Sequence, residues 1–283
     1  MTEDFAVQVS QARSALPSNP AHVDPKEVER VAFATVGHGD LGLQVWTDAR
    51  EAAAQAWRDC RARMRARYGA RSPHGGWLMF VLFVAALSGT LSAALASGFR
   101  TDPAETAGIQ VVLVMVAAGA DLVALVVTGW RPLNWAAVRM QLVVAVALAI
   151  AAAFQLSRPA MVGTPTVVAA AGIGAAGLIQ VLITRMVRPI ERKEIDSAIN
   201  VATAQMQPEV EAIGQQIQAD VSARLSPVEQ ERIVALRTTI LAQLAADGLV
   251  VEPVPEGSPA GGVIIAALLS TWNPYTRKER TRK

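Results

Sequence analysis

With a single cysteine, Cys60, the chain has nothing to pair in an intramolecular disulfide. Its three histidines, His22, His38 and His74, stand apart from one another and from any further cysteine. No ligand spacing for structural zinc is present, and neither a metal nor another cofactor is expected. The stretch from Met1 to Ala15 carries Glu3 and Asp4 and no long apolar run, so no cleaved signal peptide is expected. A Ser/His pair within the apolar segments, an HExxH pattern and a phosphate-binding glycine loop are missing as well. The run Gly37, His38, Gly39, Asp40 has neither the glycine spacing nor the strand-to-helix setting of such a loop. The sequence does not read as an enzyme.

Charge is also scarce, at 18% of residues, whereas 52% are hydrophobic. The apolar residues concentrate between Trp77 and Val187, and polar stretches flank them. A helix needs about 20 apolar residues to cross a hydrocarbon core of about 30 Å. Four stretches qualify: Trp77 to Ser97, Ala107 to Trp130, a third centred on Met140 to Leu156, and Met161 to about Val187. The stretches VVLVMVAAGADLVALVV and QLVVAVALAIAAAFQL lack the polar stripe of a helix in a soluble bundle. The expected fold is all-α: a polytopic membrane protein with four transmembrane helices and a long helical cytoplasmic extension. The regions are 1–76, helical with a basic juxtamembrane helix; 77–187, transmembrane; 188–250, helical and coiled-coil-like; and 251–283, a Pro/Gly linker, a short apolar segment and a basic tail.

Lysine and arginine in the short loops set the orientation. Seven arginines from Arg50 to Arg71 precede the first span, against Glu51 and Asp59. The next loop has Arg100 against Asp102 and Glu105, and the one after it has Arg131 and Arg139 with no acid. Trp130 and Trp135 suit the interfacial aromatic belt there, and Arg185, Arg188, Arg192 and Lys193 mark the end of the fourth span. Both termini are expected in the cytoplasm, with the chain multi-pass in the plasma membrane.

Inside the spans, Ala85, Gly89 and Ala93 recur every four residues, as do Ala170 and Gly174. Such small-residue faces allow helices to approach closely, either within one chain or between copies. Asp121 is the one acid inside a span, which costs about 2.5 to 3.5 kcal/mol on insertion scales. It requires water or a partner, for which Gln141, Gln155 and Gln180 are the candidates.

In the polar regions, Asp24 and Pro25 form an N-cap and first-turn pair for a helix to about Ala34, and a second helix reads from about Leu43 to Tyr68. On it, Arg58, Arg61 and Arg65 recur at helical spacing and suit anionic headgroups or nucleic acid, or form a solvated flank. After the spans, Ile195, Ile199, Ala202, Met206, Val210, Ile213, Ile217 and Val221 form an apolar seam. The seam fits a coiled coil, a helical bundle or docking on the amino-terminal helices, and Pro208 predicts a kink or a restart. Ser226, Pro227 and Glu229 announce a capped helix with Ile233, Leu236, Ile240 and Leu244 inward and Gly248 as its stop. The apolar VIIAALLSTW is too short to span and reads as a docking helix, a strand or an interfacial segment. Arg277, Lys278 and Arg280 belong to a basic tail suited to anionic lipid or DNA.

Four spans, a small-residue-rich fourth span (AAAGIGAAG) and an acid in the second (AAGADLVALVVTGW) resemble the actinobacterial plasmid-spread (Spd-type) membrane proteins across residues 77–187. The resemblance implies an oligomeric, pore-forming and DNA-associated membrane component of conjugative transfer. From the residues alone, the leading expectation is a homo-oligomeric membrane assembly or pore-type protein that presents cytoplasmic helices to a protein partner. The alternative is a proton- or ion-coupled transporter or channel built on Asp121.

Overall fold

The computed structural model describes residues 3–16, 22–74, 76–98, 102–158 and 163–275. The basic-tail residues Arg277, Lys278 and Arg280, and Met161 at the start of the fourth apolar stretch, lie outside them. In chain order the elements are α1 (Glu3–Ser14), β1 (His22–Val23), α2 (Pro25–Thr35), α3 (Gly39–Tyr68), a single 3₁₀ turn (Gly69–Arg71), α4 (Trp77–Ser97), α5 (Pro103–Thr128), α6 (Trp135–Leu156), α7 (Thr164–Val187), α8 (Pro189–Arg224), α9 (Pro227–Ala246), β2 (Val250–Val251) and α10 (Gly262–Leu269). The chain forms two compact units, one from residues 1–60 and 203–283 and the other from residues 61–202.

Helices α4 to α7 are long and apolar enough to cross a membrane. Asp102 caps α5, with Pro103 in its first turn, and Asn134 caps α6. Gly98 and Gly163 take left-handed backbone next to the ends of α4 and α7, with φ of 73° and 90°. In this unit α4 packs against α5 and α6, and α7 packs against α6 and α5, so α5 and α6 face each other diagonally. The outer surface is apolar: Phe80, Leu91, Val112, Leu122, Leu142 and Ile179 are exposed. The interior holds Ala85, Ala117, Leu148 and Ala170. Large apolar groups thus cover the outside while the interior mixes small, apolar and polar side chains, which departs from the polar exterior of a soluble bundle as a lipid solvent requires.

The small-residue faces serve this single-chain packing. Gly89 lies against Ala147, Ala117 and Leu148, and Gly174 against Leu148 and Ala145. Ala85 and Ala170 are buried, and Ala93 packs against the same cluster. Arg158 caps α4 from the other side of the chain by donating to the carbonyls of Ala96 at 2.5 Å and Ser97 at 3.2 Å.

The other unit is a helical cluster in which α2 packs on α9, α10 and α1. Phe33 is fully buried at its centre, together with Ile233, Leu236, Ile240 and Ile264. Gly42 admits the first turns of α3 to Phe33, since a Cβ there would stand 2.8 Å from the Phe33 Cβ. A two-residue parallel pairing joins His22 to Val250 and Val23 to Val251. The apolar VIIAALLSTW segment forms α10 and docks as a helix on α2.

Two expectations about α8 change. Pro208 lies inside one helix that runs unbroken from Pro189 to Arg224. It sits on the exposed face with Ala204, the residue whose carbonyl loses its usual N–H donor, so water can satisfy that group. The buried line also departs from the apolar seam. Ile213 is exposed, and the inward positions are Met206, Val210, Gly214, Ile217, Val221 and Leu225. Gly214 belongs there because the side chains of Leu269 and Ile265 on α10 close over it. This part of α8 therefore packs within its own chain.

Candidate functional site

Two buried polar centres stand out, one in each unit. In the membrane unit, the helical period places Gln110, Val114, Ala117, Asp121 and Ala124 on the inner face of α5. The same period places Gln141, Val144, Leu148, Ala151 and Gln155 on the inner face of α6. Because α5 and α6 are diagonal, their polar side chains meet across the middle of the bundle. At one level, Gln155 donates to Gln110 Oε1 at 2.9 Å, and Thr164 donates to Gln155 Oε1 at 3.1 Å. At the other level, Asp121 faces Gln141.

Asp121 is fully buried. Among the described residues neither of its carboxylate oxygens has a hydrogen-bond partner, nor does the Gln141 amide nitrogen. Gly177 of α7 makes room for the pair: a Cβ there would fall 2.6 Å from Gln141 Nε2 and 3.0 Å from Asp121 Oδ2. Of the three glutamines expected as partners, Gln141 alone is opposite the acid. Gln155 is taken by Gln110, and Gln180 donates to the Gly129 carbonyl at 2.8 Å. A carboxyl, an amide and a glycine gap thus meet inside the bundle. The described residues contain no His, Cys, Asp or Glu group able to hold a metal ion.

At the end of the same unit, Arg185 is buried and bonded to the Leu133 carbonyl, pairs with Asp196 at 2.7 Å and stacks over Trp135 at 5.3 Å. These contacts tie the start of α8 to the α5–α6 loop.

In the helical unit the centre is ionic. Glu29 of α2 is fully buried and paired with Arg237 of α9. Its carboxylate also accepts the backbone N–H of Gly261 at 3.2 Å and of Ile264 at 2.8 Å. Arg237 in turn donates to the carbonyls of Ser258 at 2.7 Å and Pro259 at 3.2 Å. The pair thus holds the whole entry to α10, with the carboxylate at the helix N-terminus where its charge is favoured. Burial pushes the Glu29 carboxyl above its ordinary range, and Arg237 and the two N–H groups act against that rise.

Neither member was singled out from the sequence, although the pattern held a signal for both. Glu29 lies one turn from Phe33 and Ala32, and Arg237 is four residues after Ile233, on the apolar faces of their helices. A charged residue at a core position was the signal. His38, in the turn after α2, also gains a role, with its Nε2 2.9 Å from Glu229 in the capping box of α9.

Of the residues expected to meet lipid or nucleic acid, Arg58 and Arg65 are exposed and Arg61 is half-buried. Arg58 donates to Gln55 at 2.6 and 2.9 Å.

Fold and sites together define an all-α polytopic membrane protein with a separately packed helical unit. Comparison with protein-family models, curated proteins and solved structures gave no match.

Proposed function

We propose that the chain is a membrane-anchored assembly protein of the plasma membrane, whose four spans hold a folded helical unit at the cytoplasmic face, where that unit docks a protein partner. The observation that carries this reading is the composition of the helical unit. Residues before the first span and after the fourth pack into one body, with α2 on α9 and α10 and with Glu29 paired to Arg237. A shared core requires both flanks on the same side of the bilayer, which an even number of spans supplies. The arginines that precede α4 and follow α7 favour the cytoplasmic side.

The small-residue faces are consumed inside one bundle, and its core is filled by Ala117, Leu148 and Ala170. A pore-type role therefore calls for several copies around a shared path. The likeness to plasmid-spread proteins supports a homo-oligomer acting in conjugative DNA transfer, with the basic flanks towards anionic lipid or DNA. Coupling to protons or ions at Asp121 is the second reading, and the unpartnered carboxylate oxygens are what favour it.

Sidedness tests the main reading. In a Cys60→Ala background, the exposed sites Ser10→Cys, Glu105→Cys and Ser270→Cys are labelled with an impermeant maleimide on intact cells. Glu105→Cys is expected to react at once, and the other two only after permeabilisation. Reaction of Ser10→Cys or Ser270→Cys in intact cells would overturn the proposal.

A further inference from the structure

Where α5 turns into α6, two arginines are held together without an acid between them. The 3₁₀ turn Gly69–Arg71 packs against α4 and α5. From it the half-buried Arg71 donates through Nη1 to the Pro132 carbonyl at 3.2 Å. Arg131, the residue before that proline, is exposed, and its side chain makes no hydrogen bond or ion pair among the described residues. The acids nearest to this patch are already engaged. Glu191 pairs with Arg188 at 2.8 Å, and Glu194 pairs with Arg67 at 2.8 Å. Burial and the neighbouring charges of Arg131 and Arg188 lower the pKa of Arg71, while Glu191 and Glu194 offset this in part.

Two like charges brought together by the fold repel each other, and an anion between them would remove that cost. The surroundings say which kind of anion. The patch lies at the ends of the apolar helices, where Trp130, Met186, Val187 and Ile190 are exposed by 64%, 78%, 71% and 81%. Each neighbours the arginine cluster in sequence: Trp130 precedes Arg131, Met186 and Val187 precede Arg188, and Ile190 follows it closely. Guanidinium groups match phosphate oxygens in planar, two-point geometry, and indole rings favour the headgroup level of a bilayer.

We propose that Arg71 and Arg131 form a site for the phosphate of an anionic glycerophospholipid, with Arg188 at its edge and Trp130, Met186 and Val187 against the lipid's apolar part. A zwitterionic lipid brings its own cation to the two arginines and binds less well. The site does not include Arg58 or Arg65 of α3. It rests on the placement of α4 to α7 in a bilayer and not on the assembly role.

The test uses the full chain in detergent micelles and native mass spectrometry, with phosphatidylglycerol and phosphatidylcholine as probes. Phosphatidylglycerol adducts are expected to outnumber phosphatidylcholine adducts. The exposed Arg131→Gln, which breaks no hydrogen bond, is expected to lower the preference about fivefold, and Arg71→Gln with Arg131→Gln about 25-fold. Arg58→Gln with Arg65→Gln is expected to leave it unchanged. Equal retention of the two lipids, or an equal loss in the Arg58 and Arg65 variant, would overturn the proposal. Displacement of phosphatidylglycerol by inorganic phosphate in hundredfold excess would also overturn it, in favour of a free-phosphate site. A chain that stays soluble without detergent and binds neither lipid would instead refute the bilayer placement.

Discussion

Among the described residues, each unit of this protein buries one carboxylate, and the two are treated in opposite ways. Glu29 has a guanidinium and two backbone N–H groups around it, so nearly every lone pair is used. Asp121 has an amide opposite, and among the described residues it has no counter-charge and both of its oxygens lack hydrogen-bond partners. The first arrangement fixes structure, because removing any member strands a charge in the core. The second leaves an interaction unmade in a place where unmade interactions are expensive. A buried acid therefore means something different in each unit, and the surrounding donors decide which.

The largest expected effect follows from Glu29. Glu29→Ala leaves Arg237, 3% exposed, without a counter-charge and strips the Ile264 N–H of its acceptor. Breaking a buried pair from one side costs about 3 to 5 kcal/mol. Hydrogen exchange should show the amides of α10 and of the inner face of α9 losing protection first. Pairing Glu29→Leu with Arg237→Met should recover part of the loss, because no charge is then stranded although the Gly261 and Ile264 N–H groups still lose their acceptor. A mild Glu29→Ala phenotype would remove the contrast between the two carboxylates.

Asp121→Asn should move stability much less, by about 1 kcal/mol or under, because the replacement keeps the shape and strands no charge. It can also donate to Gln141 Oε1, for which Gly177 leaves room. Thermal unfolding in micelles measures this. The same variant in proteoliposomes separates a structural carboxyl from a coupling one: unchanged proton or cation flux removes the residue-level support for transport, while lost flux with retained stability makes Asp121 a working group.

These contrasts were only partly legible beforehand. The four spans followed from length and apolarity, but their starts did not: α5 and α6 begin earlier than the apolar stretches, where Asp102 and Asn134 cap them. The capping box at Ser226 and the stop at Gly248, with φ of 84°, were written in adjacent residues. The inward line of α8 was not, because Gly214 contributes no apolar side chain yet receives Leu269 from a helix some fifty residues later. The partners of Asp121 were three equivalent glutamines until the diagonal placement of α5 and α6 chose between them. Glu29 and Arg237 are 208 residues apart, and a pairing at that range has no local signature. Helix α1 carries no apolar run strong enough to announce it, and its buried residues Val9 and Ala12 become meaningful only against α2 and α9.

The smallest expected effect lies at the surface of the helical unit and tests its electrostatics by pH. Glu229 is held at about 2, below the ordinary 4.5, first by the Ser226 hydroxyl at 2.7 Å and then by His38 at 2.9 Å. A carboxyl whose folded pKa is depressed gives stability that is fully present above its unfolded value and lost as pH falls towards the folded value. The helical unit should therefore lose part of its stability between pH of about 4.5 and about 2, with α9 loosening from its first turn. Glu229→Gln should flatten that slope while keeping the capping geometry, whereas Ser226→Ala should lower stability by about 1 kcal/mol at neutral pH and also weaken the slope, because it removes the hydroxyl that does most to lower the Glu229 pKa. Helicity followed by circular dichroism against pH distinguishes them. If Glu229→Gln keeps the full acid slope, the titration belongs to another carboxylate, and Glu29 is a poor candidate for it. Its raised pKa makes the folded state lose stability as pH rises through the interval above 4.5, which is the opposite sign.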